Sequence, residues 1–305
     1  MRLVYFGSSD FGLPTLQRLV LEHDVALIVT QPDRPAGRQR RLSPTPVAAF
    51  AQTSGIDTLK PDDVNDPALA DRIREIGAAA LVVIAYGRKL GAALLNNTFA
   101  INLHGSLLPK YRGAAPINWA VINGETQTGI SVISMTEQID AGAILAQRAA
   151  AIDPMQTAGE LEDRLSELGP DLVLQTLAEY ASGDLDPKPQ DDRFACQAPK
   201  LTKSDGTVRF DAPASAVQHR VHGLTPRPGC TVAYNDQRLR LERVAVIDEH
   251  ATIGGPGEVL ADGTIACAPG AVELRAVQPA GGKLMSFDAY RRGHEIPTGA
   301  RLASL

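Results

Sequence analysis

The run AAALVVIAYG (78–87) is apolar almost from end to end. A strand with one face in water alternates apolar and polar residues, so an unbroken run belongs to a strand covered on both faces. RLVYFG (2–7) and VALIVT (25–30) have the same character, and GLPTLQRLVLE (12–22) between them places apolar residues at helical spacing. Strand, helix and strand with short connections specify an α/β fold, a parallel sheet wound with helices. The pattern predicts helices over 43–55 and 67–77, stopped by Gly55 and Gly77, and further strands within 98–109, 128–135 and 142–152. It also predicts a single helix across 157–183, stopped by Gly183.

Beyond that helix the character changes. DLDPKPQDDRFACQAPKLTKSDG (184–206) is polar and proline-containing, as a linker is. Short β-like runs punctuated by Asp-Gly and other glycine turns follow it: CTVAYN, RLRLERVAVI, GEVLADGTIACA and AVELRAVQP. The expected organisation is a Rossmann-like, doubly wound parallel sheet over 1–183, a linker over 184–206, and a small C-terminal β-barrel (OB-like) over 207–305. A chain of 305 residues, 44% hydrophobic, can bury a core in each. No apolar run approaches the length of a membrane span. MRLVYFGSSDFG enters a strand directly, so a soluble, cytoplasmic protein without a leader is expected. Cys196, Cys230 and Cys267 are an odd number, far apart and outside any metal-ligand spacing, and are expected to be reduced.

Charge is uneven. Residues 207–305 hold 11 Lys and Arg against 10 Asp and Glu, whereas residues 1–206 hold 19 against 25. An acidic chain of this kind does not bind nucleic acid indiscriminately, but local basic patches can grip a polyanion. One such patch is QPDRPAGRQRRLSPTP (31–46), with Arg34, Arg38, Arg40 and Arg41 among four prolines. Proline removes backbone donors and fixes φ, so this stretch is neither a regular helix nor a central strand.

NLHGSLLPKYRGAAP (102–116) lies at the carboxyl end of a predicted strand, where open α/β sheets place ligands. Asn102 and His104 alternate along that strand and project to one side. An amide donor beside an imidazole suits a developing oxyanion and a proton transfer near neutral pH. Asp140, in a tight turn flanked by Ala141 and Gly142, can orient a histidine. Taken alone, Asn-x-His also describes a satisfied core histidine with a capping asparagine, and Asp140 an ordinary turn residue.

Taken together, Asn102, His104, SLLPKYRG (106–113) and Asp140 resemble the folate-dependent formyltransferase family in order and spacing. TQPDRPAGR (30–38), AYG (85–87), GAAPINWAVINGETQTGISV (113–132), DAGAILAQ (140–147), TAGEL (157–161) and APKLTKSDG (198–206) extend the resemblance over nearly the whole chain. They are similar to the branch acting on methionyl-tRNA. HGLTPRPG (222–229) resembles that branch too, but Arg227 stands where tryptophan is expected, which leaves the local packing in doubt.

The resemblance implies transfer of a formyl group from 10-formyltetrahydrofolate to the α-amine of methionine on initiator tRNA. Asn102, His104 and Asp140 would be the catalytic residues. Tyr86, Gly87, Arg88 and Leu90, with Ser106, Leu107, Leu108 and Pro109, would form the folate slot. Arg38, with Arg34, Arg40 and Arg41, would meet the acceptor stem, and the C-terminal domain would supply a second tRNA surface. The resemblance implies no metal, and a monomer is expected. Two other functions share parts of this sequence: formyl transfer to a small amine, such as an amino sugar or glycinamide nucleotide, and non-catalytic RNA binding. The basic loop and the β domain favour tRNA over a small amine, and retention of all three polar residues favours catalysis. His219 and His222 are spaced as a metal pair on a helix, but no third ligand is near in sequence. GSSDFG (7–12) lacks the dinucleotide glycine pattern.

Overall fold

The computed structural model describes residues 1–36, 41–251 and 253–305. It opens with β1 (Arg2–Gly7), α1 (Leu13–Glu22) and β2 (Asp24–Val29). The arginine-rich segment supplies a two-stranded antiparallel ribbon, β3 (Arg34–Ala36) on β4 (Arg41–Ser43). Pairing only with each other, these strands tolerate prolines that a central strand would not. The chain continues through α2 (Pro46–Ser54), β5 (Thr58–Leu59), α3 (Pro67–Ile76), β6 (Ala80–Ile84), α4 (Ala92–Leu95), β7 (Ala100–His104), β8 (Arg112–Gly113) and α5 (Pro116–Ile122). Then follow β9 (Gln127–Ser134), β10 (Ile144–Ala151), α6 (Ala158–Ser166), α7 (Gly169–Ser182) and β11 (Gln197–Ala198). Helices α2, α3 and α7 end where expected, on Gly55, Gly77 and Gly183 at φ of 68°, 65° and 80°.

Seven strands form one sheet in the order β10-β9-β7-β6-β1-β2-β5. Every residue of β6 is buried, as its unbroken apolar run requires, and β6 pairs parallel with β1 on one side and β7 on the other. Each large apolar side chain so buried contributes about 1.5–3 kcal/mol. The sheet is not wholly parallel, because β9 runs antiparallel to β7. An antiparallel neighbour begins at the carboxyl end of the strand it joins, so the connection need not cross the sheet. The chain leaving His104 therefore stays at that edge. The single helix expected over 157–183 is two, α6 and α7. Pro170 is the reason: it has no N–H to continue α6 and sits in the first turn of α7, where none is needed.

By packing, residues 1–116, 129–150 and 162–198 make one compact unit, and 117–128, 151–161 and 199–305 make another. Residues 184–198, at the start of the expected linker, thus pack with the first unit. The second unit carries α8 (Ala214–Leu224), β12 (Cys230–Tyr234), β13 (Gln237–Asp248), β14 (Ile265–Ala266), β15 (Ala271–Pro279), β16 (Met285–Ser286), α9 (Phe287–Gly293) and β17 (Ala303–Ser304). Its sheet has the order β14-β15-β13-β12-β17, with β16 also on β15. Three register shifts in the twelve-residue β13 curl this antiparallel sheet into a half-barrel. The unit is β-rich, but α8 and α9 were absent from the expected strand pattern.

Helix α8 completes the far part of β13. Strand β12 pairs with β13 only as far as Leu241, so donors beyond it on that side have no strand partner, and a buried donor must be satisfied. Gln218 Oε1 accepts from Val246 N–H at 2.8 Å, and His222 Nε2 faces Val244 N–H at 3.2 Å. Gln218 and His222 are one helical turn apart and both buried, while Val217, Val221 and Leu224 join the core of the unit. His222 is therefore a structural acceptor, and among the described residues no three His, Cys, Asp or Glu are grouped to hold a metal ion.

Burial first, and the Arg243 cation second, lower the His222 imidazole from its ordinary 6.5 to about 4. Between these values the unfolded chain holds a proton that the folded chain lacks. The stability from neutral His222 is complete above 6.5 and is lost as pH falls toward 4, on the order of 3 kcal/mol in all. His222→Gln keeps an acceptor for Val244 but does not titrate. Urea unfolding measured across that window is expected to depend less on pH in the variant. Identical pH slopes would rule out His222 as the titrating group.

Candidate active site

Strand β7 ends on His104, and its parallel pairing with β6 brings their carboxyl ends together. Asn102 and His104 do point to one side, and a carboxylate from another element meets both. Asp140 Oδ1 lies 3.5 Å from Asn102 Nδ2, and Oδ2 lies 3.6 Å from His104 Nδ1. Asp140 Oδ2 also accepts from the Gly113 N–H at 2.8 Å. His104 is 6% exposed and the Asp140 side chain 13%, so little water screens the pair. His104 Nε2 stands 2.9 Å from the Tyr111 carbonyl oxygen. A carbonyl can only accept, so Nε2 carries a hydrogen and Nδ1 is the nitrogen facing Asp140. An amide donor, an imidazole and a carboxylate thus share one patch.

The 106–109 turn beside it is fastened by the sheet's antiparallel edge. Ser131, the register partner of His104 on β9, donates to the Ser106 carbonyl at 2.6 Å and accepts from Leu108 N–H at 3.1 Å. Gln147 on β10 donates to Ser131 Oγ and to the Leu108 carbonyl. The Ser106 hydroxyl closes the turn on Lys110 O at 2.6 Å and is buried.

The residues expected in the folate slot divide by exposure. Tyr86 and Leu90 are each 1% exposed and belong to the sheet core, with Tyr86 edge-on to Phe6. Leu108 is buried, whereas Leu107 and Pro109 are half-buried. Ala85 and Gly87, on either side of Tyr86, are exposed, and both have left-handed backbones, φ 46° and 78°. The 85–87 turn therefore presents main chain, not the Tyr86 ring, at the carboxyl end of β6. Arg88 donates to the carbonyls of Pro61 and Asp62. Gln31 and Ser8 donate to the Tyr86 carbonyl at 2.6 and 3.3 Å, tying the turn to the base of the β3–β4 ribbon.

Arg34 and Arg41, at the start of the two ribbon strands, are exposed. Arg38 and Arg40 lie outside the described residues. Arg227 is exposed, so this departure from tryptophan places its charge in water.

Three residues at this site carried no signal of their own in the sequence. The buried Arg112 guanidinium donates twice to Gln190 Oε1, at 3.0 and 2.7 Å, and once to Asp192 at 2.8 Å. Gln190 Nε2 donates to the carbonyls of both Asp140 and Gly142, each at 2.8 Å. In the sequence Arg112 is one residue of SLLPKYRG, and Gln190 and Asp192 sit in the polar stretch expected to be a linker.

Known proteins resemble this chain over its whole length. The family profile "Formyl transferase" matches residues 1–177, and "Formyl transferase, C-terminal domain" matches residues 200–295. A methionyl-tRNA formyltransferase of Heliobacterium modesticaldum is 42% identical, over 99% of both chains. That of Geobacter sulfurreducens is 40% identical, over 99% of this chain and 96% of its own. The chain belongs to the methionyl-tRNA formyltransferase family. Solved structures share the family's fold at low identity. HypX from Aquifex aeolicus, in complex with tetrahydrofolic acid, superposes with a TM-score of 0.62 at 19% identity, over 95% of this chain and 47% of its own. WlaRD, a sugar 3N-formyl transferase, gives 0.66 at 13% identity, over 89% and 96%.

The turn carrying Asp140 has no room for a side chain at Gly142. A Cβ there would stand 1.6 Å from the Ser134 carbonyl oxygen. Gly142→Ala must push the turn off β9, and overpacking of this kind costs about 1–3 kcal/mol. The expected result is a lower melting temperature together with reduced formyl transfer; unchanged melting would show that the turn yields freely.

Proposed function

We propose that this chain transfers the formyl group of 10-formyltetrahydrofolate to the α-amino group of methionine on initiator methionyl-tRNA, giving N-formylmethionyl-tRNA for translation initiation. Support for the substrates comes from family membership at 42% and 40% identity over full length. Support for the chemistry comes above all from one observation, the Asp140 carboxylate placed between Asn102 and His104.

The bound folate co-substrate supplies an activated formyl carbon and the nitrogen that leaves it. Exposed main chain at 85–87 and the half-buried Leu107 and Pro109 suit a flat ring with polar edges. Asn102 donates to the formyl oxygen as the methionyl amine attacks and that oxygen gains negative charge. One lost donor of this kind costs about 10²–10³ in rate. Asp140 receives the proton released by the attacking amine, directly or through water, and relays it to the facing His104 Nδ1. With Nε2 held by the Tyr111 carbonyl, His104 keeps its transferable proton on Nδ1 and passes it to the departing nitrogen. Protons balance: the amine loses one and the folate nitrogen gains one.

The ribbon arginines meet phosphates of the acceptor stem, which position the substrate without reading sequence. The C-terminal half-barrel serves as a second tRNA surface, and the reaction takes place in the cytoplasm, where initiator tRNA is charged.

Purified protein given 10-formyltetrahydrofolate is expected to formylate initiator methionyl-tRNA and to leave amino sugars and glycinamide nucleotides unmodified; the reverse preference would overturn the assignment. Alanine at Asn102, His104 or Asp140 is expected to abolish transfer while circular dichroism stays that of the parent. Arg38→Ala is expected to raise KM for tRNA with KM for folate unchanged, and equal increases in both would remove the ribbon from tRNA recognition.

A further inference from the structure

We infer that Gln190 is a positioning residue for the reaction, holding the Asp140 carboxylate in register with His104 without touching substrate; this rests on the role proposed above for Asp140. The bonding leaves the Gln190 amide one orientation. A guanidinium can only donate and a carbonyl can only accept, so Oε1 must face Arg112 and Nε2 must face Asp140 O and Gly142 O. Both amide hydrogens are used, on two carbonyls that flank Ala141. Asp140 itself sits at φ 53°, a left-handed conformation uncommon outside glycine, so its backbone needs an external hold.

The other end of Asp140 is held from the same place. Gly113 N–H takes the carboxylate at 2.8 Å, and Gly113 is the neighbour of Arg112. The two-residue strand β8 thus fixes the side chain of Asp140 through its backbone, and the main chain of Asp140 through the Arg112–Gln190 bridge. Strand β11 pairs with β8 at Gln197↔Arg112 and Ala198↔Gly113, so the segment bearing Gln190 is anchored at its far end too. Among the described residues no other hydrogen bond reaches the Asp140 and Gly142 carbonyls, so with the bridge cut the carboxylate is held only through the Gly113 N–H and can shift relative to His104. A misplacement of about 1 Å can cost about a hundredfold in rate.

The test separates positioning from packing. Gln190→Ala removes the bridge. Gln190→Glu keeps the shape and the acceptor for Arg112 but cannot donate to the two carbonyls. Both are expected to lower kcat by about tenfold to a hundredfold. KM for 10-formyltetrahydrofolate should stay within about twofold, as expected when ground-state binding is intact. In an Asp140→Asn background, read at high enzyme concentration, Gln190→Ala is expected to cost almost nothing further, because residues acting as a unit are not additive. Parent-like kcat in Gln190→Glu would reduce Gln190 to a space-filling anchor and overturn the inference, as would losses that multiply in the double variant. Parent-like turnover in Asp140→Asn removes the carboxylate's role and the inference with it. Loss in Asp140→Asn beside full activity in Gln190→Glu removes the inference alone.

Discussion

The antiparallel pairing of β9 on β7 is the constraint from which the site follows. Had β9 been parallel, the chain leaving His104 would have had to cross the sheet to start again at the opposite edge. Instead the 105–116 segment stays where β7 ends, and Ser131 arrives opposite His104 to fasten the 106–109 turn from below. Asp140 then falls just past the end of β9, within reach of the two polar side chains on β7. A polar cluster that looks like three independent placements is the result of one strand direction.

Much of this was legible in the amino-acid sequence, for identifiable reasons. The buried strands announce themselves because a strand covered on both faces has no polar positions to lose. Asn102 and His104 were readable as neighbours because strand geometry alternates by two. What the sequence hid has physical causes as well. The antiparallel edge depends on where a connection goes, and residue periodicity carries no direction. Pro170 divides a 27-residue helical pattern that periodicity alone leaves unbroken. The family resemblance places Tyr86 and Leu90 in a ligand slot, and their side chains lie in the core beside β6, which residue type alone does not distinguish. Gln190 could not be found at all: its meaning comes from Arg112, which is 78 residues away.

The second unit shows how polar side chains support a bent sheet. His219 and His222 have the spacing of a metal pair, but His222, with Gln218, is a buried acceptor for donors of β13 that lie beyond the end of β12. The far part of β13 is therefore completed by a helix, and an account based on strands alone would miss it.

The bridge from β8 through Gln190 to Asp140 also has a temporal consequence. On a ribosome the seven strands of the first sheet are all synthesised by residue 151, whereas Gln190 and the β11 pairing wait until residue 198 has emerged. A nascent chain can therefore hold a sheet with Asn102, His104 and Asp140 all present, yet lack the contacts that Gln190 and β11 make around them. Those contacts are the last part of this unit to be completed during synthesis.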